Sequence, residues 1–289
     1  MFLLLAALIY GANYSIAKEV MDPGYVGPYG FIIFRGISGC ILFWTAARFF
    51  PAEKVERKDF KLLLICSLFG VAINQSFFFA GLHLTTPIHA SLMSIMTPLI
   101  VLPLSAYMVK EAITTRKIAG IFFGVLGAVI LITYGKELST SSTSRIGDLF
   151  IIINAVSYGI YLVLVKRLTT KYHAITISKY VFLFGLFMVL PFGWKEAMAV
   201  QWSAFDLHIA LCFAYVLIFT TFFAYLLNAF ALQWVQTSVV SIYIYLQPIL
   251  ATGLALLLGK DQLNWVQVIS AALIFYGVFL VSFRREKSR

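Results

Sequence analysis

Charged residues are scarce in this sequence: only 12% of its 289 residues are Asp, Glu, Lys or Arg, whereas 61% are hydrophobic. Soluble domains contain about 25% charged residues, which cover their surface. The mean hydropathy is +0.93, and apolar residues occur in runs of roughly 17 to 25, the length that crosses a bilayer core. These features exclude an ordinary soluble domain and predict a polytopic membrane protein.

Long polar connections are also absent. Ten apolar runs predict ten transmembrane helices, at about 2–20, 28–49, 61–82, 87–108, 117–134, 148–166, 176–194, 207–230, 237–258 and 265–283. The longest connection is rich in Ser and Thr, which suits a flexible linker. We therefore predict an all-α integral membrane protein with five helices in residues 1–134, the linker 135–147, five helices in residues 148–284 and a basic tail at 285–289.

Cysteine is rare, and its spacing is not that of metal ligands. Cys40, Cys66 and Cys212 lie in apolar spans and are odd in number, so they are interpreted as small core residues without disulfides. The motifs H-E-x-x-H and G-x-S-x-G are missing, and no pair of acids lies within a span. We expect no enzymatic activity, no cofactor and no bound metal.

Acidic residues are missing from the middle of the spans. Those nearest the bilayer lie at span ends: Glu19, Glu111, Asp148 and Asp261. Proton-coupled antiporters of the small multidrug type need a mid-membrane glutamate, which this sequence lacks. If transport is proton-coupled, it must use a histidine or an acid at a span end. For His83 and His89, interfacial hydrogen bonding is the alternative role.

The net charge of +10 is a topology signal rather than a sign of nucleic-acid binding. If the N-terminus is cytoplasmic, sixteen Lys and Arg side chains lie on the cytoplasmic side. Five lie on the other side: Lys18, Lys136, Arg145, Lys195 and Lys260. This bias follows the positive-inside rule and predicts that both termini are cytoplasmic, in a cell inner membrane. We expect contact with the lipid bilayer and no nucleic-acid partner.

The last two spans of each predicted half repeat each other. A shift of 150 residues aligns Ser91 with Ser241, Pro98 with Pro248, Glu111 with Asp261, and Gly127 with Gly277. The pattern Y-G-x6-K also occurs twice, from Tyr10 and from Tyr158. Because each unit has five spans, an odd number, the second copy must enter from the opposite face. Inverted repeats of this kind recur in secondary transporters.

Several motifs together resemble a known family. They are Y-G-A-N-Y-S-I-A-K (10–18), F-R-G-I-S-G (34–39), M-T-P-L-I (96–100), K-E (110–111), G-I-F-F-G-V-L-G (120–127) and the echoes Q-P-I-L (247–250), K-D (260–261) and Y-G (276–277). In order and spacing they are similar to the EamA type of the drug/metabolite transporter superfamily. The resemblance implies ten helices, a central cavity and movement of small metabolites, often export of amino acids. Tyr10, where Trp is frequent, and Asp261, where Glu is commoner, depart from the family pattern.

Polar side chains within the spans fall into stripes at helical spacing. The stripes are Tyr10, Asn13 and Tyr14; Asn74, Gln75 and Phe78; Met93, Thr97 and Pro98; Asn154, Ser157, Tyr158 and Tyr161; Thr221, Tyr225 and Asn228; and Ser241, Tyr245, Gln247 and Pro248. Because they fall on corresponding helices of both repeats, a shared solute-binding cavity is predicted. For a single residue, interhelical hydrogen bonding is an equal alternative.

Arg35 is the one charge deep inside a span. It either pairs with backbone carbonyls as a structural pin, or helps to bind a carboxylate or line the gate. Lys18 is either an interfacial anchor or a solute contact. Pro98 and Pro248 each free a carbonyl in mid-span, as a hinge or as static packing.

Gly120, Gly124 and Gly127 form a small-residue face on the fifth span. A close helix contact is its simplest role, and a dimer contact is the alternative. A monomer or a homodimer is therefore expected. The sequence as a whole predicts a secondary transporter that exports small metabolites, amino acids or related amphipathic solutes. The alternatives are an exporter of cationic or aromatic drugs and a membrane sensor without transport.

Overall fold

The computed structural model describes residues 1–21, 24–85, 87–133, 142–250 and 265–282, and among them it contains helices and turns but no strand. The helices are α1 (Phe2–Met21), α2 (Pro28–Ala46), α3 (Phe60–Ser67), α4 (Ile73–Leu84), α5 (Pro87–Ser94), α6 (Met96–Val109), α7 (Thr115–Thr133), α8 (Ser142–Thr169), α9 (Ala174–Met198), α10 (Leu207–Tyr215), α11 (Ala224–Trp234), α12 (Thr237–Ile242) and α13 (Trp265–Ser282). The all-α prediction is confirmed. Lys136, Lys260, Asp261 and the basic tail lie outside the described residues.

Five helical stretches of 22 to 28 residues are long and apolar enough to cross a membrane. They are Pro28–Phe49, Arg57–Leu84, Arg145–Thr169, Ala174–Met198 and Leu207–Trp234. Large apolar side chains such as Ile41, Phe122 and Phe187 remain 60% exposed or more on the outside of the bundle. Such a surface suits contact with lipid rather than water.

Two of the long stretches contain a wide helical turn. A π-helical turn at Leu68–Ala72 joins α3 to α4, and another at Val216–Phe223 joins α10 to α11. A π turn inserts extra residues into the helix, and such turns are frequent at functional sites. Side chains that follow the turn therefore face a different direction from the one that regular α-helical spacing predicts.

Two other spans contain a break rather than a wide turn. The predicted span 87–108 is divided at Ile95 into α5 and α6, and α12 passes into a 3₁₀ turn at Tyr243–Tyr245 before helix resumes through residue 250. Pro98 and Pro248 are each the third residue after the break. Proline is tolerated there, because the first N–H groups of a helix have no partner within it. The prolines thus follow a break instead of kinking a continuous helix.

Small residues bring helices into close contact. A Cβ atom added to Gly120 on α7 would lie 2.7 Å from the carbonyl oxygen of Gly277 on α13, and one added to Gly277 would lie 2.5 Å from that of Gly120. Gly127 faces the carbonyl oxygen of Ser270 at 2.7 Å in the same way. The predicted close helix contact of this glycine face is confirmed, with α13 as the neighbour.

Two lysines cap the ends of neighbouring helices. The Lys18 ammonium on α1 donates to two carbonyl oxygens at the end of α4, at 3.0 and 2.7 Å. The Lys166 ammonium on α8 does the same at the end of α11. The acceptors are Leu82 and Thr85 for Lys18, and Leu232 and Val235 for Lys166, so the two sets are 150 residues apart. A cation suits the C-terminal end of a helix, where carbonyl groups lack partners.

Two glutamates cap helix N-termini in a matching way. The Glu196 carboxylate accepts from the backbone N–H groups of Tyr29 and Gly30 at the start of α2, at 2.8 and 3.0 Å. The Glu53 carboxylate accepts from the backbone N–H of His173, immediately before α9, at 2.9 Å. The helices α2 and α9 pack together, and each begins at an acid from the other side of this pair: Glu196 in the last turns of α9 caps α2, and Glu53, after the end of α2, caps α9.

Candidate solute-binding cavity

One cavity lies between the helices, with about 760 Å³ of empty space including its open mouth. Its lining comes from both halves of the chain: α1, α2, α4, α5, α6, α8, α11, α12 and the turns beside them. Amides, hydroxyls and aromatic rings dominate the polar part of this lining. No described lining residue is Asp, Glu, His or Cys.

Most of the residues predicted for the site meet in this cavity. Those that line it are Tyr10, Asn13, Tyr14, Arg35, Asn74, Gln75, Phe78, Thr97, Asn154, Tyr158, Tyr225, Asn228 and Gln247. Four others lie outside its lining: Met93, Tyr161, Ser241 and Tyr245.

Each of the four excluded residues packs within the protein. Tyr161 stacks on Tyr158 at a ring distance of 6.0 Å, and Met93 packs on an apolar cluster beside α1. Ser241 donates to the carbonyl oxygen of Ser238 at 3.0 Å. Tyr245 is fully buried, with its ring against Gly124.

Hydrogen bonds join α1 to three other parts of the cavity wall. The Tyr14 hydroxyl donates to Ser94 Oγ at 2.8 Å and lies 3.3 Å from Gln247 Oε1. Asn13 Oδ1 accepts from the Thr220 hydroxyl at 3.2 Å. These bonds link the first helix of the chain to α5, to α11's preceding π turn and to the segment after the 3₁₀ turn. A movement of α1 would therefore disturb hydrogen bonds on both sides of the cavity.

A second network crosses the cavity from α4 to α8 and α11. Asn74 and Asn154 each donate from the side-chain amide to the other's backbone carbonyl, at 3.4 and 2.8 Å. The Tyr225 hydroxyl donates to the carbonyl oxygen of Gly70 at 2.8 Å and accepts from Gln75 Nε2 at 3.1 Å. Gly70 belongs to the first π turn, where the wider winding leaves carbonyl groups available to other donors.

Arg35 on α2 is the one cation among the described residues that line the cavity. Only 3% of the residue is exposed, and its guanidinium lies 5.0 Å from the ring centre of Phe79. Its Nε finds no acceptor, and none of the described acids pairs with it. A cation–π contact compensates only part of the cost of burying a charge. The side chain therefore presents to the cavity a positive charge that is only partly compensated by the described residues.

Regular α-helical spacing does not predict two of the lining residues, Thr220 and Tyr243. The i, i+4 pattern predicts Thr221 beside Tyr225, but the Thr221 hydroxyl instead donates to the carbonyl oxygen of Val216, five residues back, within the π turn. Thr220 takes its place in the cavity. The 3₁₀ turn acts similarly, because it brings Tyr243 to the wall and turns Tyr245 away. Ser94, three residues before Thr97, could have been found from spacing alone.

Comparison of the chain with protein-family models shows the family to which it belongs. The model of the EamA-like transporter family matches residues 1–133 and again residues 145–283. The chain belongs to the EamA-like transporter family. The resemblance seen in the sequence motifs is thereby confirmed, and the EamA-like chain is a multi-pass membrane protein.

Individual relatives agree with this family assignment. An uncharacterized transporter of Archaeoglobus fulgidus is 24% identical and covers 99% of this chain and 98% of its own. The uncharacterized transporter YyaM of Bacillus subtilis is 24% identical, with 96% and 90% covered. The WAT1-related protein At3g18200 of Arabidopsis thaliana is also 24% identical, with 96% and 83% covered. A crystal structure with 18% identity and a TM-score of 0.73 shares the fold over 96% of this chain and 98% of its own.

Proposed function

We propose that this EamA-like protein is a secondary transporter that exports small metabolites, amino acids or related amphipathic solutes, by alternating access around the cavity. It would act in the inner membrane with both termini in the cytoplasm, as the charge distribution predicts. Membership of a transporter family supports transport as such. The solute class rests on the chemistry of the cavity wall.

We also propose ten spans in two inverted repeats, an architecture in which two halves can exchange conformations and so alternate access. The duplicated family match supports this proposal. The matched lysine caps support it too, because Lys18 and Lys166 make the same contact at acceptors 150 residues apart. In an inverted pair, exchanging the two conformations would move the cavity opening from one face of the membrane to the other.

The buried charge of Arg35 is the observation that carries the solute assignment. A guanidinium has a planar fork of donors that matches a carboxylate. Because no described acid neutralises it, a solute carboxylate can supply the missing negative charge. Asn13, Asn74 and Gln75 offer amide groups for an ammonium or hydroxyl, and Phe78 offers an apolar face. A zwitterionic solute fits these groups.

The same charge disfavours the drug-export alternative. A cationic dye would be attracted to aromatic faces such as Tyr158 and Tyr225, but it would also meet the positive charge of Arg35 without a described acid in the wall. Phosphorylated solutes would require several cationic side chains, and the described wall contains one.

The experiment measures efflux of labelled amino acids from proteoliposomes, with the wild type beside Arg35→Gln, Asn13→Ala and Tyr158→Ala. Efflux above that of protein-free vesicles is expected for the wild type. Arg35→Gln should reduce it about 30-fold or more, since removing one member of a buried charge pair costs about 2–5 kcal/mol. An amine that lacks the carboxylate should move slowly through both proteins.

Two exposed residues provide matched controls. Arg48→Gln and Tyr107→Ala change the same residue types outside the cavity, and Tyr107 is 89% exposed; both variants should transport like the wild type. The amino-acid proposal is lost if no carboxylated solute moves faster than in empty vesicles. Saturable binding without flux would indicate a sensor, and movement of cationic dyes would indicate a drug exporter.

A further inference from the structure

Three side chains of types that can ligate a metal ion meet at one end of the bundle, outside the lining of the cavity. Glu19 lies near the end of α1, and His208 and Cys212 lie four residues apart on one face of α10. His208 Nε2 is 2.8 Å from Glu19 Oε2, and Cys212 Sγ is 3.7 Å from each of these atoms. The cluster brings together a nitrogen, an oxygen and a sulfur atom from two helices.

The triangle of these three atoms has the size of a metal coordination face. Tetrahedral zinc, with bonds of about 2.0 Å to nitrogen or oxygen and about 2.3 Å to sulfur, separates its ligand atoms by roughly 3.3–3.6 Å. The two distances to sulfur already agree with this spacing to within a few tenths of an ångström. Only the contact between His208 and Glu19 would have to open, by roughly half an ångström.

We propose that Glu19, His208 and Cys212 bind a divalent transition-metal ion of the zinc type, with the fourth position left to water or another ligand. The side chains of His208 and Glu19 are 69% and 46% exposed, so an ion can reach them from solvent. The Cys212 thiol gives its proton to solvent as the ion binds, and the thiolate becomes the ligand. A thiolate and an imidazole select zinc-like ions over magnesium or calcium.

The site joins α1, which lines the cavity, to α10, which leads to the cavity through the π turn that follows it. From Glu19, α1 leads back to Tyr14 and Asn13, and the stretch that begins with α10 leads to Thr220, which donates to Asn13. A bound ion would tie the two helices together at the end opposite the N-terminus of α1. Metal binding itself does not depend on the proposed transport and is tested without any solute.

Cobalt(II) is the probe, because a cobalt–thiolate bond gives a near-ultraviolet charge-transfer absorption. The purified full-length protein in nanodiscs is titrated with Co²⁺, and Zn²⁺ is then added to displace it. The wild type should develop the thiolate band at one equivalent and lose it to zinc. Cys212→Ser should show no such band, and His208→Gln should weaken affinity by more than the roughly 10- to 100-fold that loss of an outer-shell partner costs.

Cys40→Ser is the matched control, since Cys40 is a free, partly buried thiol on α2; it should bind cobalt like the wild type. Monodispersity in size-exclusion chromatography shows that each variant is folded. The proposal is overturned if the wild type gives no thiolate band, or if the band persists in folded Cys212→Ser. Equal affinity of His208→Gln and the wild type would also overturn it.

Discussion

The two halves of the chain share contacts that hold helices together but, apart from Tyr10 and Tyr158, differ in the polar residues that face the cavity. Lys18 and Lys166 cap helices at acceptors 150 residues apart, and the third span of each half carries a π turn. Arg35 has no such counterpart. A shift of 148 to 150 residues places Leu183, Phe184 or Gly185 opposite it.

This difference indicates that residues that hold the bundle together and residues that face the solute are constrained in different ways. Residues that hold the helices together recur at matched positions in both halves, because the unpaired backbone groups at the same helix ends need hydrogen-bond partners in each half. Residues that select a solute need not, because a single solute in one cavity meets each half through different atoms. Duplicated positions should therefore affect stability in pairs, and unpaired cavity positions should affect transport.

The largest stability effect is expected at the contact between halves near α12. Glu111 accepts from the Lys117 ammonium at 2.7 Å and from Ser238 in the other half, and both charged residues are more than 90% buried. Glu111→Ala should lower the free energy of unfolding by about 3–5 kcal/mol, because Lys117 is left buried without its carboxylate. Denaturant unfolding of the detergent-solubilised protein measures this.

The control is Glu56→Ala, since Glu56 pairs with Lys58 at an exposed position. This substitution should leave the free energy of unfolding almost unchanged. Replacing both partners, in Glu111→Ala with Lys117→Met, should restore part of the lost stability. If Glu111→Ala and Glu56→Ala lower the free energy of unfolding equally, the buried ion pair stabilises the fold no more than the exposed one does.

The lysine caps test the duplication directly. Lys18→Met and Lys166→Met should each reduce stability by about 1.5–3 kcal/mol, the usual range for hydrogen bonds to a charged group, and by similar amounts. Lys195→Met, at an exposed position on α9, is the control. A large effect at only one of the two caps would contradict their equivalence; unfolding free energies decide this as well.

The glycines of the two Y-G motifs should behave differently. A Cβ on Gly11 would lie 2.9 Å from the carbonyl oxygen of Gln247, whereas one on Gly159 meets side-chain methyls of Ile100 and Val101 at 3.2 and 3.3 Å. Gly11→Ala should cost about 1–3 kcal/mol because backbone must move, and Gly159→Ala about 1 kcal/mol or less. Thermal unfolding compares them. The reverse order would contradict this account.

The smallest effect concerns the tyrosine at the first π turn. Tyr225→Phe removes the bond to the Gly70 carbonyl and the acceptor of Gln75 Nε2, and it should cost about 1 kcal/mol. Tyr107→Phe, on an exposed ring, should cost nothing measurable. If the two variants unfold alike, the hydroxyl of Tyr225 does not stabilise the turn.

The sequence predicted the features that depend on hydropathy and helical spacing. The all-α class and the close contact of the glycine face followed from composition and from Gly120 and Gly127. Thr220 and Tyr243 were missed because π and 3₁₀ turns change the residues per turn. The Glu19–His208–Cys212 cluster was missed because 189 residues separate Glu19 from His208, so no spacing pattern could reveal it.

The buried charge of Arg35, which no described acid neutralises, has a kinetic consequence for the proposed transporter. With a carboxylate bound, the guanidinium has an anionic partner while the cavity reorients; with the cavity empty, the cation stays enclosed in the apolar interior without one. Reorientation of the loaded form should therefore be faster than return of the empty form. One-for-one exchange of solute between the two faces needs only the loaded form. The rate of solute exchange (counterflow) should then exceed the rate of net efflux. Labelled solute inside would therefore leave faster when unlabelled solute is present outside.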